Sequence, residues 1–303
     1  MEGGKFPPPI TERTRDVKAP LFSYIRADSL DQALELLQQH GEEARILAGG
    51  QSLMPTLNMR LSQPGILIDI NRLEVLKGIS LKGDHIRIGA LARHAEVENS
   101  SIVAKHLPLI AEAMPHVAHV AVRNRGTFGG SIALADPAAE MPACAVALEA
   151  TLVVQSVRGL REIAADDFFL GLYETAREPD EILIEARIPV QTAATVSVFM
   201  ELARRKGDFA MAGLACRARI VGDVIEDARL VYFGSEIRPT LANGAMNSVR
   251  GQSWPGTAKE AALAALGDDL DPMENLLGSP ATKLHLQRVL TGRALDAAIE
   301  RAS

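Results

Sequence analysis

Cysteine is scarce in this 303-residue sequence, with only Cys144 and Cys216, far apart and outside any C-x-x-C spacing. That excludes a disulfide framework, a zinc site built on cysteines and a four-thiolate iron–sulfur cluster within this chain. Buried free thiols in a reducing cytoplasm are the expectation that remains. Long apolar runs are missing too: nothing approaches the ~20 residues of a membrane helix, so no membrane span is expected. An excess of positive charge is lacking as well. The 32 Lys and Arg are outnumbered by 38 Asp and Glu, for a formal net charge of −6. Nothing in that balance indicates nucleic acid or an anionic membrane. The opening "MEGGKFPPPITERTRDVK" has no apolar segment of a secretory signal. Pro7, Pro8 and Pro9 among charged residues indicate a flexible arm over residues 1–18. A soluble, cytoplasmic protein is expected.

What is present is ordinary in bulk, 47 % hydrophobic and 23 % charged, and long enough for two or three domains. "SLDQALELLQQH" reads as a helix with Ser29 as its cap and Gly41 as its stop. "ARILA" and "GILIDI" read as buried strands, with "PTLNMRL" as a helical turn between them. "DHIRIGAL" alternates as a half-buried strand does, and "SIVAKHLPLIAEAM" and "AEMPACAVALEA" suit helices. "ATLVVQSV", "GLREIA" and "DEILIEARIPV" are strand-like. "PVQTAAT" marks a boundary near residues 190 to 195. Three strands follow it, two of them joined across Gly222-Asp223. Two helices end the chain, the last burying Leu286, Val289, Leu290 and Ala294 on one face. The layout is α+β: residues 19–193 in two sub-parts, about 19–75 and 76–193, then a second domain over 194–303.

Two glycine-rich turns carry the chemistry. Glycine adopts positive φ and keeps no side chain between the backbone and a ligand. Successive exposed N–H groups make an anion-binding concavity, and a following helix adds its dipole. The first turn is Ala48-Gly49-Gly50-Gln51-Ser52-Leu53, and the second is Gly126-Thr127-Phe128-Gly129-Gly130-Ser131 beside Arg123 and Arg125, with Asp136 and Glu140 soon after. Neither is a Walker loop, and neither has the G-x-G-x-x-G fingerprint of a Rossmann unit. Two anion cradles about 80 residues apart would grip one extended dinucleotide from both sides. The alternative for each is a tight strand-to-helix connection.

"LAGGQSLMPTLNMRL" and "RNRGTFGGSIALADPAAEMPA" resemble the FAD-binding medium subunit of molybdenum hydroxylases, the carbon monoxide dehydrogenase and xanthine dehydrogenase family. The likeness extends through "YETAREPDEILIEARIPV" and "ELARRKGDFAMAGLACRARI". It implies an FAD-binding domain of the PCMH (VAO-like) type in two parts, then a C-terminal domain of a small antiparallel sheet with helices. By the same resemblance, Leu47, Ala48, Gly49, Gly50, Gln51, Ser52, Leu53 and Met54 form the first FAD loop. Thr127, Phe128, Gly129, Gly130 and Ser131 form the second. Glu140 lies by the flavin's sugar-like chain, Phe209 by the isoalloxazine ring, and Val117 near the cofactor. Relatives often carry Ile or Val at Phe128 and Asn at Ser131. No cysteine or histidine stands out for covalent attachment, so the FAD is expected to be noncovalent.

Competing candidates are weaker. His116 and His119 lack a third metal ligand, "GGQSLM" lacks the G-x-S-x-G of a serine nucleophile, and Asp166-Asp167 suit a helix N-terminus. Arg204-Arg205-Lys206 suits a solvated cluster or an anionic partner. The resemblance implies an electron-transfer subunit without catalytic or metal-ligating residues of its own. A large molybdopterin-binding subunit and a small subunit with [2Fe–2S] clusters would be its partners, in a dimer of heterotrimers. A stand-alone flavin oxidase or reductase and a non-catalytic nucleotide-binding module are the alternatives.

Overall fold

The computed structural model describes residues 19–192 and 194–303, and the expected N-terminal arm lies outside them. Strands β1 (Ser23–Arg26), β2 (Ala44–Leu47) and β3 (Ile66–Asp69) form a parallel sheet in the order β1-β3-β2. The continuous apolar run Ile66-Leu67-Ile68 suits a strand covered on both faces, and all three residues are buried. Helix Leu30–His40 covers the sheet with Ala33, Leu34 and Leu37; Ser29 Oγ accepts from the Gln32 amide, and Gly41 ends the helix at φ 51°.

A second, antiparallel sheet runs β4-β5-β10-β6-β7. Its members are β4 (Ile79–Lys82), β5 (His85–Gly89), β6 (Thr151–Ser156), β7 (Gly159–Ala164) and β10 (Ile182–Pro189). A small hairpin, β8 (Phe169–Gly171) with β9 (Glu174–Thr175), sits between β7 and β10 in the chain. Arg87 and Arg187 lie directly opposite each other in this sheet, a repulsive cross-strand pair by itself. Glu185 bonds both guanidinium groups and resolves it. A set of short helices fills the chain between β5 and β6. The single helix expected over "SIVAKHLPLIAEAM" is two, Ser101–His106 and Pro108–Ala113. Leu107, before a proline, is driven from helical angles to φ −134°, ψ 61°.

The third sheet contains β11 (Thr195–Ala203), β12 (Ala210–Val221), β13 (Val224–Phe233) and β14 (Thr240–Leu241) in that order, with β15 (Gln252–Ser253) also on β13. β12 and β13 meet across Gly222, at φ 63°. Helices Asn243–Val249, Gly256–Asp269 and Pro280–Ala302 pack on it, one more than the sequence leads one to expect. The extra helix, "NGAMNSV", has no apolar periodicity of its own. Its start is held from outside, where the Asp269 carboxylate accepts from the amides of Gly244 and Ala245 at 2.8 Å each. The last helix is also turned from its expected orientation. Leu290 and Ala294 are buried, but Leu286 and Val289 are only half so, and Lys283 and Gln287 are fully buried instead. Both polar groups find carbonyls: Lys283 Nζ donates to Met273, and Gln287 Nε2 to Phe233 and to Ser235 Oγ. Beside this helix the single tryptophan, Trp254, is buried with its indole N–H on Asp296 at 2.7 Å.

Helix Glu140–Ala147, buried along its whole length, lies between the short helices and the third sheet. Phe199, Ala215, Val231 and Phe233 of that sheet join the same apolar core as this helix.

Candidate flavin site

The first glycine turn leaves the carboxyl end of β2, the edge of the parallel sheet where ligands of α/β folds collect. Gly50 takes φ 71°, which any side chain would resist. The turn runs into helix Leu53–Asn58, so the expected helical turn begins two residues earlier than "PTLNMRL". The amides of Gly50, Gln51 and Ser52 have no acceptor among the described residues. They are free donors at the start of a helix, the arrangement that suits an anion. One N–H of the Gln51 amide folds back onto the Gly49 carbonyl at 3.1 Å, which leaves the other for the cleft that Gln51 lines.

The two turns, distant in sequence, touch. A Cβ on Gly49 would stand 2.5 Å from the Arg125 carbonyl and 2.8 Å from the Cα of Gly126. Between them opens a cleft of ≈ 500 Å³, bordered by Gly49, Gly50, Met54, Asp69, Asn71 and Arg125. Asn71 ties the seam: its Nδ2 donates to the carbonyls of Leu47 (3.2 Å) and Ala48 (2.8 Å), and its Oδ1 accepts from Arg93 Nη2 at 2.7 Å. Arg93 in turn donates to the Arg125 carbonyl. Asp69 accepts from Tyr24 Oη and from Asn71. Its burial raises the carboxyl, but those hydrogen bonds outweigh the effect and hold it below the ordinary range.

The second turn differs from the expected cradle of free amides. Phe128 and Gly129 donate to the carbonyls of Ala92 and Ala90, Gly130 to Thr127 Oγ1, and Ser131 to the Thr127 carbonyl. Thr127, the N-cap of helix Phe128–Leu134, takes two of these donors and Ala90 and Ala92 the other two, so the turn's amides are spent inside the protein. Gly129 is glycine for closeness, since its Cβ would fall 2.5 Å from Ala90 Cβ. Phe128 points into the core, 1 % exposed. Arg125 is the cation this turn brings to the cleft. Behind it His94 is buried, and its Nδ1 has no partner among the described residues. Burial first, then the Arg123 charge, pushes its pKa down to about 4, so the ring is neutral.

The remaining candidates, Val117, Phe209 and Glu140, do not line this cleft. Val117 is buried, and its carbonyl and that of Ala118 accept from Arg123, which is clamped by Glu98. Phe209 is 67 % exposed at the end of the loop that leads into β12. Gly207 of that loop, at φ 86°, has the His119 ring where a Cβ would be, at 2.6 Å. The loop therefore lies against Ala118 and His119, next to Val117. Glu140 is buried, and burial raises its carboxyl to about 7, with Asp136 adding to the effect. No group of three or more His, Cys, Asp or Glu side chains suited to a metal exists among the described residues. Asn71 and Arg93 escape a reading of the sequence alone. A signal existed for Asn71, a polar residue just past a buried strand that ends beside a glycine loop.

Free amides, a cation and closely abutting backbones fit a flavin dinucleotide's pyrophosphate and define a nucleotide-binding protein of the divided-cradle kind. Comparison with known proteins carries this further. The family model for the FAD binding domain in molybdopterin dehydrogenase matches residues 20–191, and that for the CO dehydrogenase flavoprotein C-terminal domain matches residues 197–298. The carbon monoxide dehydrogenase medium chain of Hydrogenophaga pseudoflava is 37 % identical over 94 % of this chain and 99 % of its own. The 6-hydroxypseudooxynicotine dehydrogenase complex subunit alpha of Paenarthrobacter nicotinovorans is 36 % identical over 94 % and 97 %. The solved carbon monoxide dehydrogenase of H. pseudoflava superposes with a TM-score of 0.92 at 38 % identity, covering 94 % of this chain and 99 % of that one. The chain belongs to the FAD-binding medium subunits of molybdenum hydroxylases, and it is an oxidoreductase subunit with an α+β fold. No helix among the described residues is long and apolar enough to cross a membrane.

Proposed function

We propose that the chain holds FAD noncovalently across the two abutting glycine turns and relays electrons within a cytoplasmic molybdenum hydroxylase. The observation that carries this reading is the set of amides at Gly50, Gln51 and Ser52, unpaired among the described residues, in a turn whose Gly50 and Gln51 line the same cleft as Arg125. The bound isoalloxazine supplies the redox chemistry; the protein supplies position and electrostatics. In this reading Leu47 to Met54 wrap the pyrophosphate, and Arg125 offsets its charge. Thr127 to Ser131 set the second wall, with Ser131 the polar group at its edge and Phe128 and Gly129 packed beneath. Glu140 serves the flavin's ribityl side, and Val117 and Phe209 border the ring. Residues 19–193 act as the flavin domain and 194–303 as the second domain.

Electrons arrive from the [2Fe–2S] clusters of a small partner subunit and leave to an external acceptor. A large partner subunit holds the molybdenum cofactor and the substrate, and the assembly is a dimer of heterotrimers. The two cysteines, both buried, cannot hold those clusters, which supports the need for partners. Asp69, the cleft's carboxylate, is engaged by Tyr24 and Asn71, which speaks against a stand-alone oxidase using it as a base. The test is the absorption spectrum of the purified chain before and after acid precipitation. Flavin bands that move into the supernatant are expected. A colourless chain that also fails to take up added FAD removes the reading.

A further inference from the structure

The second glycine turn is built against residues 90–94. Phe128 and Gly129 donate to the carbonyls of Ala92 and Ala90 at 2.9 Å each, the His94 amide donates to the Gly126 carbonyl at 3.0 Å, and Arg93 pairs with Thr127 in an antiparallel bridge. On the side of the following helix, Glu96 Oε2 accepts from the Arg93 amide at 2.7 Å. The backbone of Arg93 is therefore part of the second turn's support.

Its side chain serves the first turn as well. Arg93 Nη2 donates to Asn71 Oδ1 at 2.7 Å, and Asn71 Nδ2 holds the Leu47 and Ala48 carbonyls where the first turn begins. Arg93 Nη1 donates to the Arg125 carbonyl, the atom against which Gly49 sits. One guanidinium fixes both sides of the closest approach between the turns. Among the described residues no other hydrogen bond links residues 44–58 or 66–71 to residues 90–131. Arginine suits this joint because its planar fork aims separate donors at two acceptors, whereas lysine presents one nitrogen on a flexible stem. Arg93 is half-buried and is not among the residues bordering the cleft, where Arg125 is.

We propose that Arg93 is a positioning residue of the nucleotide site, a strap that holds the two glycine turns in the register a pyrophosphate spans, without touching the ligand. That the nucleotide is FAD rests on the functional reading above; the strap itself concerns any ligand whose diphosphate bridges both turns. Without the Arg93 side chain, Asn71 Oδ1 and the Arg125 carbonyl lose their shared donor group, while each turn keeps its own bonds. The turns then persist singly, but their register is no longer fixed. A ligand with one phosphate needs one turn only, so it is affected less than a ligand with two.

Calorimetric titration of the flavin-free full chain with FAD, ADP and AMP tests this. In Arg93→Met the affinities for FAD and ADP should fall together, by about tenfold or more. AMP should lose much less, so that the preference for ADP over AMP shrinks; a merely structural role would weaken all three alike. Arg93→Lys, with the charge but not the fork, should resemble Arg93→Met. Asn71→Ala should also weaken ADP, and the double variant should lose far less than the product of the two single losses, because the two residues act as one joint. Unchanged FAD and ADP affinities in Arg93→Met, an undiminished preference for ADP over AMP, full recovery in Arg93→Lys, or independent losses in the double variant would overturn the proposal. Should Arg93→Met not fold, Arg93→Lys carries the same comparison, and its parity with the unaltered chain overturns the proposal equally. An unaltered chain that binds FAD while these variants match it rejects the strap alone. One that binds ADP with this dependence on Arg93 and never takes up FAD upholds the strap and rejects the flavin reading.

Discussion

At the scale of single residues, the site depends on absences and on one amide. Gly49→Ala puts a methyl 2.5 Å from the Arg125 carbonyl. The two turns must part, at a cost of about 1–3 kcal/mol. The flavin content of purified Gly49→Ala should collapse, and an A450-to-A280 ratio equal to that of the unaltered chain would count against the shared cradle. Asn71→Ala removes two bonds to the first turn and one from Arg93. Leaving these groups unpaired costs about 1–3 kcal/mol, so FAD affinity should fall roughly tenfold or more, read by titrating the apoprotein. Both glycine turns were legible in the sequence as turns, and it was their pairing, each followed by polar residues, that set them apart from ordinary strand-to-helix connections. Asn71 was not, since its partners are backbone carbonyls more than 20 positions away. Nor did the sequence reveal that Thr127, Ala90 and Ala92 take up the second turn's donors; a threonine near two glycines reads equally as a cap or as a ligand.

Among the elements, the long apolar strands declared themselves, while short strands such as β1, β4, β8, β9, β14 and β15 and the helix edges did not. β2, β3 and the three long strands of the third sheet follow their apolar patterns because burial decides them. The break at Leu107 comes from a proline whose local effect exceeds the apolar periodicity around it. The rotation of the last helix has a different cause. Apolar counting favours Leu286 and Val289, yet Lys283 and Gln287 face inward, because the end of β13 at Phe233 and the segment at Met273 leave carbonyls that an apolar residue cannot satisfy. Gln287→Leu should therefore destabilise the protein by about 1–3 kcal/mol despite adding apolar volume. Urea unfolding followed by circular dichroism would show it, with flavin content unchanged. A neutral or stabilising result would mean that water replaces the amide there.

For the molecule as a whole, two buried carboxyls, Glu140 and Glu201, contribute to the pH dependence of stability. The folded protein holds Glu140 at about 7 and Glu201 at about 8, above their usual 4.5. The unfolded chain releases those protons earlier, so the folded state binds more of them. This contribution is intact below the ordinary carboxyl range, shrinks as pH rises through 7 and 8, and is gone above it. Urea midpoints should fall across that span, and Glu201→Gln should flatten the decline. A midpoint that rises between neutral and alkaline pH would contradict the raised carboxyls.

Trp254 is the sequence's one tryptophan, set between helices Gly256–Asp269 and Pro280–Ala302 far along the chain from the glycine turns. The protein thus carries two separate optical gauges, indole emission at one end and flavin emission at the other. If the two ends melt as one body, both traces share a midpoint. If flavin emission rises before the indole signal moves, the cofactor end lets go first, and a colourless preparation can still be a folded one.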